Sequence, residues 1–195
     1  MVGGSPEPWA RLGLSVVNGT VPLFGTGIRF DDAAPPGIAG WSLSGMPDPS
    51  VTDVDGLVTE AVPPTIPMLV EHPNGAIGLD HVVVTTDALE RTCTAVEAAT
   101  GAPLRRVREV GEIRQGFHRI GSGGLIVEVV ERAGLPEAPA WFWGLVLNVD
   151  DLDVAAELIG PDGIGAVTDA VQPGRRIATV RTELGLGLPV ALMTP

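Results

Sequence analysis

The last 120 or so residues of this chain are written twice, and that repetition restricts its fold more than any single motif does. Leu79-Asp80-His81-Val82-Val83-Val84 returns 63 positions later as Phe142-Trp143-Gly144-Leu145-Val146-Leu147. The same offset of 63 carries Gly124-Leu125-Ile126-Val127-Glu128-Val129 onto Gly187-Leu188-Pro189-Val190-Ala191-Leu192. An offset that is the same at both ends means two modules of equal length, each a supersecondary unit in its own right. The copies differ where polarity matters: His81 becomes Gly144, and Glu128 becomes Ala191.

Within the first copy, residues 80–85 are apolar and β-branched, the composition of a strand covered on both faces. A helix should follow, with Asp87 as N-cap, Glu90 in capping-box spacing, and Leu89, Cys93 and Val96 along one face up to Gly101. Strands are expected at 104–110, 115–120 and 125–131, the last two joined by Gly121-Ser122-Gly123-Gly124. The second copy offers Asp150 and Asp153 at the helix start and Leu152, Ala156 and Ile159 along its face. Strands follow at 166–171, 177–181 and 188–193. Each module therefore reads βαβββ, and the fold class is α+β.

The first 75 residues have another texture. Leu14–Val17, Val21–Phe24 and Ile28–Phe30, separated by Asn18-Gly19 and Gly25-Thr26-Gly27, look like the three closing strands of a degenerate module whose opening strand is missing or lies outside the chain. Ile38–Leu43 offers one more strand, and the Pro-rich stretch from Met46 to Asn74 reads as a linker. The expected division is 1–75 as degenerate module and linker, and 76–195 as a two-module domain split at 76–133 and 142–195.

Composition narrows the function. The formal charge is −12, and all 12 basic residues are arginine. That balance argues against nucleic acid or an anionic membrane as a partner, since no basic stripe is present to neutralise phosphates. Cys93 is the only cysteine, which leaves neither an intrachain disulfide nor a thiolate metal cage. With no signal-like N-terminus and no apolar run of about 20 residues, a soluble cytoplasmic protein is the expectation.

Tandem βαβββ modules that open Leu-Asp-His-Val-Val-Val and close Leu-Ile-Val-Glu-Val-Val-Glu resemble the vicinal oxygen chelate superfamily, the group of glyoxalase I, the extradiol dioxygenases and the bleomycin resistance proteins. The resemblance covers roughly residues 76–195. It implies two modules forming a cupped mixed sheet around a cavity, with metal ligands, where present, on the first and last strand of each. His81 and Glu128 stand at those places in the first module, Gly144 and Ala191 in the second.

An ion that activates substrate needs at least three protein ligands and open positions besides, and imidazole with carboxylate suits Fe, Mn, Zn or Ni. Two ligands leave the set short, with Gly144 where the resemblance would place a further histidine. No cofactor is therefore firmly expected, although a divalent metal on His81 and Glu128 stays open. The other reading of the pair is structural, each group offsetting the burial of its partner. His118 joins them only if the hairpin loop has three residues; the expected four-residue turn sets His118 opposite Val127, away from Glu128. His72 reads as a loop histidine.

Strand alternation puts Phe142, Gly144, Val146, Pro189 and Met193 on one side of the second module, an apolar hollow with an aromatic wall. Phe117 completes the candidate lining, and Arg176 is a candidate for a ligand carboxylate. Trp41, Trp141 and Trp143 are candidates for a seam between the N-terminal segment and the modules.

Three functions follow. The first is a metal-free protein that binds a small, partly apolar molecule. The second is a metal-dependent lyase or dioxygenase that borrows ligands from His118, from Asp31 or from another subunit. The third is a non-catalytic assembly protein with a closed cavity. Expected partners are a small-molecule ligand and, as an assembly, a homodimer.

Overall fold

The computed structural model describes residues 1–64, 68–121 and 124–195. They fall into two compact units, one within Met1–Gly37, Pro67–Asp80 and Gly144–Pro195, the other within Ile38–Ile66 and His81–Trp143.

The N-terminal segment contributes β1 (Val2–Gly3), α1 (Glu7–Arg11), β2 (Thr20–Leu23), β3 (Thr26–Asp31) and β4 (Gly37–Ile38), with sheet order β2-β3-β1-β4. β1 runs parallel to β3, Val2 opposite Phe30, and β2 is antiparallel to β3. A two-residue strand, too short to show a period, thus stands ahead of β2 and β3, where the sequence reading had an opening strand missing or outside the chain. Leu14–Val17 is no strand; it makes a single bridge, Val17 to Thr20.

The strand read at Ile38–Leu43 is present in part, as β5 (Trp41–Ser44), and strands also stand where a linker was expected: β6 (Asp53–Val54) and β7 (Leu57–Val62) join β5 in a sheet of order β5-β7-β6. Val54 pairs with Leu57 across the two-residue loop Asp55-Gly56, whose φ values of +53° and +94° suit a primed hairpin turn. Val54 and Leu57 are buried, and Asp55 accepts hydrogen bonds from Thr92 Oγ1 and from Arg91 Nε (2.8 Å). Burial of the hairpin and its anchoring to the helix override the Pro-rich flanks.

The first module is β8 (Ala76–Thr86), α2 (Leu89–Thr100), β9 (Leu104–Val110), β10 (Ile113–Ile120) and β11 (Leu125–Arg132). β11 runs parallel to β8 and antiparallel to β10, which is antiparallel to β9. Val82, Val84, Val127 and Val129 pack against Leu89, Cys93 and Val96 of α2, the helix face expected from the sequence, with Val54, Leu57 and Ala140 in the same core. Burial pushes the Cys93 thiol up to about 11, so it stays a protonated core group.

The helix start differs from the capping box. Ala88 is the N-cap, and the Leu89 amide donates to Glu131 Oε2 at 2.7 Å. Asp87 pairs instead with Arg91 one turn on (2.7 Å). A carboxylate from β11 thus satisfies the orphan amide that a local cap would have taken.

The second module repeats the order in reduced form: β12 (Trp141–Val149), α3 (Leu152–Ile159), β13 (Thr168–Asp169), β14 (Arg176–Thr179) and β15 (Val190–Met193). β15 is parallel to β12 and antiparallel to β14, the same pattern as in the first module. Asp151, one residue beyond the expected position, caps α3 by accepting from the amides of Asp153 (3.0 Å) and Val154 (3.1 Å). Leu152 and Ala155 are its buried residues. The strand expected over 166–171 shrinks to two residues, because Gly165 lies before it and Gln172-Pro173-Gly174 turns the chain just after. The fold is α+β with two βαβββ modules.

His72 is in a loop, as read, yet it is buried. Its Nδ1 accepts from the Ser15 amide (3.0 Å), which leaves Nε2 to donate to the Pro22 carbonyl (2.7 Å). Both ring nitrogens are engaged, and the ring ties the stretch leading into β8 to the N-terminal segment.

Candidate functional site

Residues directly opposite in paired strands share a face. His81 lies opposite Ile126 and Val83 opposite Glu128. Glu128 in turn faces Phe117, Gln115 faces Val130, and Arg106 and Arg108 on β9 face Phe117 and Gln115. One face of β8, β11, β10 and β9 thus carries His81, Thr85, Glu128, Gln115 and Phe117. The other carries Gly116, where an added Cβ would meet Cys93 Sγ of α2 at 2.7 Å. The polar set is on the side away from the helix.

At its centre His81 Nε2 lies 3.5 Å from Glu128 Oε2, both side chains 15% exposed. The separation is that of a charge contact rather than a short hydrogen bond. The other carboxylate oxygen accepts from Gln115 Nε2 at 2.5 Å. A carboxylate beside an imidazole can exchange a proton with a bound group, and the Gln115 donor holds Glu128 in place for it.

Because the Gln115 nitrogen must face the carboxylate, its carbonyl oxygen points elsewhere; that atom is buried and has no hydrogen-bond partner among the described residues. Thr85 Oγ1, on the same face and opposite Val130, is buried and unpartnered in the same sense. Buried polar atoms of this kind are uncommon and call for an explanation. Gln115 escaped the sequence reading because a lone glutamine in a strand has no signature. The register set by the hairpin was the available clue: it places Gln115 and Phe117 on the face of Glu128.

His118 pairs with Val127, on the opposite face, and is 1% exposed, with Nδ1 donating to the Ala102 carbonyl at 2.9 Å. Of the turn that sets this register, Ser122 and Gly123 lie outside the described residues. His118 therefore does not extend the donor set of His81 and Glu128. Among the described residues no group of three or more His, Cys, Asp or Glu side chains converges as a metal site would require. Two donors do not fit a resident divalent ion of the kind the resemblance implies.

In the second module, Val146 faces Ala191 across β12 and β15, and with Met193 they form a small buried cluster against Ala170 and Ile177. Gly144 is closely covered: a Cβ added there would lie 2.5 Å from the Pro189 carbonyl oxygen and 3.1 Å from Pro189 Cβ. Its glycine answers a backbone approach, so the position is no emptied ligand place. Phe142 lies apart from this cluster, packing edge-on against Trp41 with ring centroids 5.3 Å apart in the core of the first module. Trp141 and Trp143 are exposed.

Arg176 pairs at the surface with Asp153 through two contacts of 2.7 and 2.8 Å, and its guanidinium holds the Asp153 carboxyl below the usual range. The neighbouring Arg175 is the more enclosed of the two, its side chain 17% exposed against 43% for Arg176. It donates to Asp80 and Asn148 (2.7 Å each), to the Thr194 carbonyl (2.7 Å) and to Gln172 (2.6 Å). It ties the start of β8 to the C-terminal strand.

The sequence matches no family model and no curated protein. Solved structures do match. Methylmalonyl-CoA epimerase from Mycobacterium tuberculosis aligns over 62% of this chain and 89% of its own, at 16% identity and a TM-score of 0.51. A mutant 4-hydroxymandelate synthase from Streptomyces coelicolor aligns over 71% of this chain and 57% of its own, at 19% identity and a TM-score of 0.52. A selenomethionine methylmalonyl-CoA epimerase aligns over 60% and 94%, at 14% identity and a TM-score of 0.50. These neighbours are vicinal oxygen chelate proteins, and the chain has the fold of that superfamily.

Proposed function

We propose that this protein binds a small, partly apolar molecule on the polar face of its first module, without a resident metal. One observation carries the reading: His81, Glu128 and Gln115 form a half-buried polar group beside Phe117, with two buried acceptor atoms left over on the same face. A structural ion pair alone would account for His81 and Glu128, but not for the unpartnered Gln115 and Thr85 oxygens. A ligand donor accounts for both. Identities of 14–19% with the solved neighbours carry the fold to this chain and not an activity.

No helix among the described residues is long and apolar enough to cross a membrane. The cytoplasmic location and the homodimer remain part of the proposal.

NMR of the His81 ring and the Gln115 side-chain amide, recorded while a set of neutral and charged ring compounds is added, tests the reading. Binders should move both signals in the wild type and leave the Gln115 amide in place in His81→Ala. Binders that leave both signals in place would refute it.

A further inference from the structure

Resting on that reading, we propose that the ligand is an anion, with a carboxylate or phosphoryl head held by arginines at the outer edge of the same face. The face holding Glu128 also holds Arg106 and Arg108 on β9, Arg119 opposite Ile126, and Arg132 opposite Ile113. Glu128 is the one carboxylate on that face of the four strands, and it is already engaged by His81 and Gln115.

The opposite face behaves otherwise. There Arg114 meets Glu90 (2.5 Å), Glu131 (3.3 Å) and Glu109 (3.6 Å). Arg91, Arg175 and Arg176 likewise have carboxylate partners. Arg106, Arg108, Arg119 and Arg132 have no ion pair among the described residues.

In a chain of net charge −12, acidic partners are abundant, yet Arg106, Arg108 and Arg119 stand about Phe117 on one face without one. Arg132, at the far end of β11, and Arg11, Arg105 and Arg181 elsewhere likewise have no ion pair among the described residues, so it is the placing of the first three about Phe117 that points to a ligand. Protection of a sheet edge explains charges on β9. It does not explain Arg119 and Arg132, which belong to the interior strands β10 and β11.

The spacing gives the ligand a shape. Neighbouring strands are about 4.8 Å apart, so Arg106 lies roughly 10 Å from Glu128, with Phe117 between them. A ligand of that length would rest its apolar body on Phe117. Its hydrogen-bonding end would reach Gln115 and Glu128, and its anionic head would reach Arg106 and Arg119, whose forks match carboxylate and phosphoryl oxygens.

Calorimetric titration with benzoate, phenyl phosphate and the uncharged benzamide, with His81 NMR recorded in parallel, tests the inference. Benzoate or phenyl phosphate should bind at least about tenfold more tightly than benzamide at low salt, and the advantage should shrink at high salt. The tighter of the two identifies the head group. The double variant Arg106→Gln/Arg119→Gln should lose that advantage while keeping its melting temperature, and Arg11→Gln/Arg181→Gln, with the same change of charge, should keep it. Equal binding of benzoate and benzamide, with His81 responding to both, would overturn the anion assignment and leave the binding reading intact. No response of His81 to any probe would overturn both.

Discussion

On the first module, the opening strand supplies His81 and the closing strand Glu128, and the two meet at 3.5 Å beside Gln115. At the corresponding positions of the second module, Gly144 lies beneath the Pro189 carbonyl and Ala191 packs into a cluster with Val146 and Met193. The scaffold is shared, adjacent parallel opening and closing strands with a helix between them in sequence, but one copy spends those positions on polar chemistry and the other on packing. The difference teaches that the missing ligands of the second copy are not gaps. Backbone and core atoms fill them, so restoring a histidine would not restore a site.

The largest effect should come from forcing the second copy to resemble the first. Gly144→His should lower stability by about 1–3 kcal/mol, the usual result of overpacking, which is several degrees of melting temperature for a chain of this size. Gly144→Ala should show much of the same loss, because the clash begins at Cβ. Thermal melts check both, and an unchanged melting temperature for Gly144→Ala would break the comparison on the second module's side.

Next comes removal of the polar group on the first. Glu128→Ala leaves His81 and the Gln115 amide without their partner and should cost on the order of 1–3 kcal/mol in urea denaturation. The effect of Gln115→Met should be smaller, since it removes an orphaned acceptor along with the donor.

The two helix caps give a finer contrast. Asp151→Ala removes a local cap, and Glu131→Ala a cap supplied from β11; each should cost about 1 kcal/mol. Hydrogen exchange should report the first loss in α3 only and the second across both α2 and β11.

The smallest effect is one of pH, and it resides in the first module. Arg91 holds the Asp87 carboxyl below its usual range, and Arg114 does the same for Glu90. Carboxyls depressed by folding contribute stability that is present above their unfolded values near 4 and is lost as pH falls through the folded values. Glu90 is exposed and Asp87 half-buried beside an exposed arginine, so the acid loss should be modest, and Arg114→Gln should flatten the Glu90 part of it in melts between about pH 5 and pH 2.

The modules were legible in the sequence because a repeated period and a constant offset survive local noise: Leu89, Cys93 and Val96 face the core as the pattern required. What escaped was decided at long range. Asp87 has the spacing of a cap, yet a carboxylate 42 residues away takes the amide, and no local rule anticipates that competition. The Asp55-Gly56 hairpin was masked by prolines on either side, although the dipeptide itself is a hairpin signal. Arg176 was singled out over Arg175 because sequence alone does not say which of two adjacent arginines turns inward. At the site, His81 and Glu128 were visible from the repeat, whereas Gln115 and the four arginines appear only once the strand register is known.

Whether the proposed binding belongs to the first module's face and not to the second module's is decided by methyl NMR of the wild-type protein titrated with benzoate. Shifts are expected at Ile113, Val83 and Ile126, which share the face with Phe117 and Glu128, and none at Val146, Met193 or Ile177. Shifts confined to Val146, Met193 and Ile177 would contradict it.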